Sequence, residues 1–203
     1  ALGSSSVNLQ VQTWSNLNIG GSGTVGSGAA TATLISTIDN AGAPSTSGTL
    51  SNVNNGASGS STITAGTASK VSGLIYLEAG TEYRFTGYGD DSIAVVLGGN
   101  LVAQATWGGS AGIFSGTSIT PTTSGYYTLA IYHHNQAGAG NYDVNVSVNG
   151  AVAVDLNTNN FQLFPNTDLI VDQGVRLSDA QSGSAGTYYR PYQDNEGNED
   201  TAI

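Results

Sequence analysis

The sequence predicts an all-β fold, an antiparallel β-sandwich or flattened barrel. Two observations carry that expectation. Short apolar or alternating runs recur through the chain, broken about every eight to twelve residues by clusters of Gly, Ser, Asn and Thr, as in sandwiches and barrels. No 3.6-residue apolar period holds over ten residues, and helix formers are sparse beside 29 glycines.

Taken in order, residues 7–14 (VNLQVQTW) alternate apolar and polar and read as a strand. Residues 30–38, rich in Thr and β-branched side chains, read as another. The stretches 20–28 (GGSGTVGSG) and 51–61 (SNVNNGASGSS) are turn-rich loops. Trp14 and the run 34–37 (LIST) argue for a packed segment here rather than a disordered linker, because such side chains gain most from burial. The middle offers strands at 73–78, 82–86, 93–97, 101–105, 126–133 and 142–148, with Gly98-Gly99-Asn100 placed as a tight hairpin connection. Further short strands are expected at 152–156, 161–164, 169–171 and 175–177. Residues 1–190 read as one domain and 191–203 as an acidic tail or linker. The opening residues read as a boundary within a longer chain.

Composition narrows the function. Net charge is −10, with Lys70, Arg84, Arg176 and Arg190 the only cations among 203 residues. Nucleic acid and anionic membrane surfaces call for Lys/Arg clusters, so neither is an expected partner. No apolar run approaches a membrane span, so no membrane insertion is expected. There is no cysteine, hence no disulfide and no thiolate metal site.

Asp90 and Asp91 are adjacent acids in a chain that is only 9% charged. They fall where one strand ends and the next begins. Along an extended strand neighbours point to opposite faces, whereas a turn can aim both carboxylates at one spot that calls for a cation. Oxygen-only ligands suit a hard cation, calcium above all. The plainer reading is a solvated turn. A second loop, residues 134–141 (HNQAGAGN), follows an aromatic strand. Its glycines let backbone carbonyls turn toward a common point, and an amide plus carbonyls is a typical neutral calcium ligand set.

Three segments carry a family resemblance. They are KVSGLIYLEAGTEYRFTGYG (70–89), DDSIAVVLGGNLVAQATWGG (90–109) and SGYYTLAIYHHNQAGAGNYDVNVSVNG (124–150). Together they resemble the PA14 family, firmly over 71–150, with Ser92 replacing the family's frequent glycine after the acids. The likeness is to the lectin modules of very large calcium-dependent (RTX-type) bacterial adhesins, one of them a marine ice-binding adhesin, and to yeast flocculins. It implies a PA14-type sandwich, a cis peptide between Asp90 and Asp91, and a Ca2+ site. The implied ligands are Asp90, Asp91, the amide of Gln136 (Asn135 as the alternative) and the carbonyls of Gly138 and Gly140. Vicinal hydroxyls of a cell-surface glycan built from fucose, mannose or glucose would complete the shell, with Trp107, His134 and Asn141 at the rim. The implied setting is extracellular: a monomeric module in a larger cell-surface chain, with weak single sites and many copies. The alternative is a calcium-rigidified spacer that binds no ligand, and a third reading is an accessory domain of a glycan-processing enzyme.

Enzymatic readings fail on the residues themselves. Gly108-Gly109-Ser110-Ala111-Gly112 matches a nucleophile elbow, yet a β-rich stretch follows it and no Asp or Glu occurs between Asp91 and Asp143. Asp90 and Asp91 are too close together to work on opposite sides of a glycosidic bond. His133 and His134 diverge on a strand and lack the remaining zinc ligands. The expectation is a binding module, not an enzyme.

Overall fold

A computed structural model of the chain describes residues 7–19, 30–55, 62–106 and 112–165. In chain order the elements are β1 (Leu9–Trp14), α1 (Thr31–Asp39), β2 (Thr46–Leu50), β3 (Ile63–Thr64), β4 (Thr67–Leu77), β5 (Tyr83–Gly89), β6 (Ser92–Leu97) and β7 (Asn100–Thr106). They continue with β8 (Gly112–Ser115), β9 (Gly125–Asn135), β10 (Ala139–Gly140), β11 (Tyr142–Val148), β12 (Val154–Asp155) and β13 (Leu163–Phe164). The larger sheet has the order β2-β1-β4-β9-β6-β7, with β13 sharing the edge of β4. The smaller runs β12-β11-β5-β8, and β3 with β10 forms a separate two-stranded ribbon. Every pairing is antiparallel.

The two sheets face each other across one core. Val71, Ile75 and Leu77 of β4, Ile93, Val95 and Leu97 of β6, and Tyr127, Leu129 and Ile131 of β9 pack against Phe85 of β5 and Val144 and Val146 of β11. Within each strand they fall two or four residues apart, the even spacing that places side chains on one face. Burying each such side chain contributes about 1.5–3 kcal/mol. In β6 the intervening Ala94 is buried as well, so this strand lacks the polar alternation of a half-solvated one.

What covers the other face of the larger sheet is a correction to the sequence reading. Residues 31–39 form a helix, not a strand. Leu34 and Ile38, one helical turn apart, are buried with Trp14, Ile19, Ala68, Ala94 and Tyr132 in a second apolar cluster. Three threonines and two isoleucines favour a strand on propensity, but a nine-residue helix draws its stability from the face it packs. Lys70 anchors the end of α1 through a 2.6 Å ion pair with Asp39, which also accepts the Tyr132 hydroxyl. Four strands, β2, β3, β8 and β10, are additions to the expectation. The strand expected at 142–148 has those bounds here, and the Gly98-Gly99 hairpin joins Leu97 to Asn100 with φ of 56° and 80°. The strands expected at 169–171 and 175–177, and the acidic tail, lie outside the described residues.

Candidate functional site

Two crossovers between the sheets meet at one end of the sandwich. The first is the Asp90–Asp91 link, which leaves β5 in the smaller sheet at Gly89 and enters β6 in the larger at Ser92. The second is the 136–141 segment, which leaves β9 in the larger sheet and returns to β11 in the smaller. Register stacks them, because Ser92 pairs with His134 and Gly89 with Tyr142.

Backbone hydrogen bonds then clamp the first link against the second. The Asp90 N–H donates to the Asn141 carbonyl at 3.0 Å, and the Asp91 N–H to the His134 carbonyl at 3.1 Å. The peptide bond between the two aspartates is cis. Asp91 is 2% exposed, and its Oδ2 accepts the N–H groups of Gln136 at 2.6 Å and Ala137 at 3.2 Å. Those two donors fix one carboxylate oxygen. Asp90 is half-buried, and its carboxyl is pushed up to about 6 by burial, then by the Asp91 charge and a hydrogen bond to Asp91. The two carboxyl groups therefore converge, and nothing cationic among the described residues offsets them.

The second crossover contributes neutral oxygens. Asn135 is 0% exposed; its Nδ2 donates to the Ile63 carbonyl at 2.6 Å and to the Gly138 carbonyl at 3.3 Å. With the nitrogen so held, Oδ1 is buried and has no hydrogen-bond partner. The Gln136 side-chain oxygen is likewise buried without a partner. Leaving a buried acceptor unpaired costs roughly 1–3 kcal/mol, so such oxygens mark a place where a donor or cation belongs. Gly140 packs where no side chain fits: a Cβ there would lie 2.6 Å from the Asp90 carbonyl oxygen and 2.7 Å from Asn135 Cγ. Its own carbonyl accepts the Thr62 N–H at 3.1 Å, which ties the loop to the β3–β10 ribbon.

The histidines work behind the site. His133 donates from Nε2 to the Asp90 carbonyl at 2.7 Å, and its ring lies 4.7 Å from that of Tyr142. Burial pulls its pKa down to about 4, so the ring is neutral at pH 7. His134 is 2% exposed and donates from Nε2 to the Leu17 carbonyl at 3.1 Å, leaving little surface for a ligand at the rim. Asn141 is 0% exposed and receives Asp90 through its carbonyl. Trp107 lies outside the described residues. The structure thus brings Asp90, Asp91, Asn135, Gln136, Gly138 and Gly140 together, and turns His134 away. The hold of Ile63 on Asn135 had no signal in the sequence, since the amide donates to a main-chain carbonyl 72 positions away.

Among the described residues no group of three or more His, Cys, Asp or Glu could hold a metal. Any ion here would take two carboxylates and otherwise neutral oxygens. That donor set, with orphaned amide oxygens beside paired acids, fits a hard cation such as calcium and not a thiolate- or imidazole-seeking one.

No protein-family model matches the sequence, and no curated protein matches it. Solved structures do match in fold. The PA14 domain of the MpAFP antifreeze protein superposes with a TM-score of 0.62 at 18% identity, covering 79% of this chain and 92% of that one. A PA14 sugar-binding domain from an RTX adhesin gives 0.60 at 18% identity, over 75% and 96%. The fold is of the PA14 type. Epithelial adhesin 6 A domain from Candida glabrata, solved with Galβ1-3GlcNAc, shares it at 0.56 and 16% identity, over 80% and 90%. Within the PA14 fold of this chain, the paired crossovers form the end of the sandwich just described.

Proposed function

We propose that this PA14-type domain is a calcium-dependent carbohydrate-binding module of an extracellular, cell-surface adhesin, and that it binds without catalysis. The observation that carries the reading is the convergence of the Asp90 and Asp91 carboxyls on a loop whose Asn135 Oδ1 is buried and unpaired. The RTX adhesin domain is a sugar-binding one, and Candida adhesin domains of the same fold were solved in complex with Galβ1-3GlcNAc and with β-lactose. Those ligands support glycans as the partner class; fucose-, mannose- or glucose-type units remain the expectation from the resemblance.

Within this reading the chain prepares the site before any ligand arrives. The Gln136 and Ala137 amides orient Asp91, and the Ile63 and Gly138 carbonyls orient the Asn135 amide. A bound calcium ion would supply open coordination positions to two adjacent sugar hydroxyls. The outward oxygens of Asp90 would accept hydrogen bonds from those hydroxyls, a charge-assisted contact stronger than a neutral one. Between the two amides the geometry favours Asn135, because its nitrogen is occupied and its oxygen is left over. The Gly138 and Gly140 carbonyls each accept one hydrogen bond and keep a second lone pair for an ion.

The deciding experiment is binding of the whole chain to a glycan array in millimolar calcium and in excess chelator, with Asp91→Ala as control. Calcium-dependent binding lost in the variant supports the reading. A thermal shift with calcium but no glycan signal on any array position would make the domain a calcium-rigidified spacer instead.

A further inference from the structure

The smaller sheet has an outer face that the crossover site does not use. Along β5, Tyr83 and Phe85 enter the core while Arg84, Thr86 and Tyr88 face out. Along β8, Phe114 is buried while Ile113 and Ser115 are exposed. Register lines these up in two rows: Asp143–Tyr88–Ile113 and Asn145–Thr86–Ser115. Ile113 is 77% exposed, unusual for a branched aliphatic on a paired strand, and it stands directly opposite Tyr88. Asp143 accepts the Asn145 amide on Oδ2 at 2.8 Å, and its buried Oδ1 has no hydrogen-bond partner.

This apolar pair with a polar border adjoins the Asp90 carboxyl. Gly89 pairs with Gly112 and with Tyr142 at the end of β5, so the Tyr88–Ile113 pair stands one register step in from the Asp90–Asp91 link.

Resting on the carbohydrate reading above, we propose that Tyr88 and Ile113 form a shelf for a second sugar unit, joined to the one held at Asp90 and Asp91. A pyranose ring is amphipathic, with a C–H face and a hydroxyl rim. Tyr88 and Ile113 suit the face, and Asp143, Asn145, Thr86 and Ser115 suit the rim, the mix of apolar walls and few placed polar groups that marks ligand sites. Like-charge repulsion from Asp143, which lies outside the cation's ligand set, selects neutral over uronic or sialylated units. The ligand class is therefore a neutral di- or oligosaccharide rather than a free monosaccharide.

The test is isothermal titration of the full chain, in millimolar calcium, with lactose against galactose and mannobiose against mannose. At least one disaccharide should bind about three- to tenfold tighter than its monosaccharide. Ile113→Ser and Tyr88→Ala should each bring that ratio toward one, with monosaccharide affinity and the calcium-induced thermal shift unchanged. A ratio that survives in both variants, or is near one in the wild type, overturns the shelf while leaving the cation site standing. Wild-type chain that takes calcium but no sugar overturns the carbohydrate reading and the shelf with it. Should Tyr88→Ala fail to fold, Ile113→Ser decides alone, since its side chain is mostly in solvent.

Discussion

The Asn135 side-chain nitrogen donates to the Ile63 carbonyl at 2.6 Å, and this bond determines where the amide oxygen faces. An Asn has two donors and one acceptor group. Once the donors are committed to Ile63 and Gly138, the acceptor points where no protein donor reaches it. Asn135→Ala is expected to weaken calcium binding at least tenfold, while Gln136→Ala weakens it by less than threefold, because the Gln136 contact to Asp91 is made by the main chain. Isothermal calcium titration of both variants is the measurement. The reverse order would put the ligand amide on Gln136.

Gly140 and Gly138 give a matched pair of opposite outcomes. Gly140 lies against the Asp90 carbonyl and Asn135, so Gly140→Ala must move one of the two crossovers and is expected to abolish the calcium-induced thermal shift. Gly138 has φ of +73° and open space around its Cβ position. Gly138→Ala meets only the left-handed backbone cost, about 1–2 kcal/mol, and should keep the shift. Melts of both variants with and without calcium check this.

Helix α1 was the largest error of sequence reading, and its cause is physical. The segment TATLISTID has only Leu34, Ile35 and Ile38 as large apolar residues, too few for a 3.6-residue signal, and its Thr and Ile content imitates a strand. What makes it a helix is the outer face of the larger sheet, where Ala68, Ala94 and Tyr132 await a cover. Strand β8, a four-residue GIFS, is short and set among turn residues, so only Phe114 hinted at burial. The strands of the main core were legible because period-two apolar runs are long there. The Asp90–Asp91 pair was legible by its rarity. The choice between Asn135 and Gln136 was not, since one position of register separates them and the deciding partner is a backbone carbonyl far away in sequence.

The second cluster should matter to stability and not to binding. Leu34→Ala removes a fully buried side chain from the helix–sheet contact and is expected to cost about 2–5 kcal/mol. Denaturant unfolding measures the loss. Calcium affinity of the folded fraction should match wild type, because Leu34 belongs to the cluster on the opposite face of the larger sheet from the core beneath the crossovers.

Acid should uncouple calcium from the fold, and Asp90 sets where. Its carboxyl rises from 3.8 to about 6 in the folded chain, by burial first and then by Asp91. A raised carboxyl favours the protonated fold. In chelator, its contribution to stability is fully present below about pH 3.8 and is lost as pH rises through about 6. Calcium requires the ionised pair, so its stabilisation runs the other way and fades as Asp90 takes up a proton. His133 acts in the opposite sense: lowered from 6.5 to about 4, it contributes stability above 6.5 that is lost as pH falls through about 4. That loss is common to chelated and calcium-loaded chain as long as the ring stays buried, so it cancels in their difference. The quantity to measure is therefore the gap in melting temperature between millimolar calcium and chelator, followed from about pH 7.5 to about pH 5. It should begin to shrink as pH falls through about 6 and narrow further toward about pH 5. Asp90→Asn should melt higher than wild type in chelator at neutral pH, since it removes the buried like charge, and should show no calcium gap at any pH. A gap that persists undiminished at pH 5, or an Asp90→Asn chain still stabilised by calcium, would place the ion away from this pair.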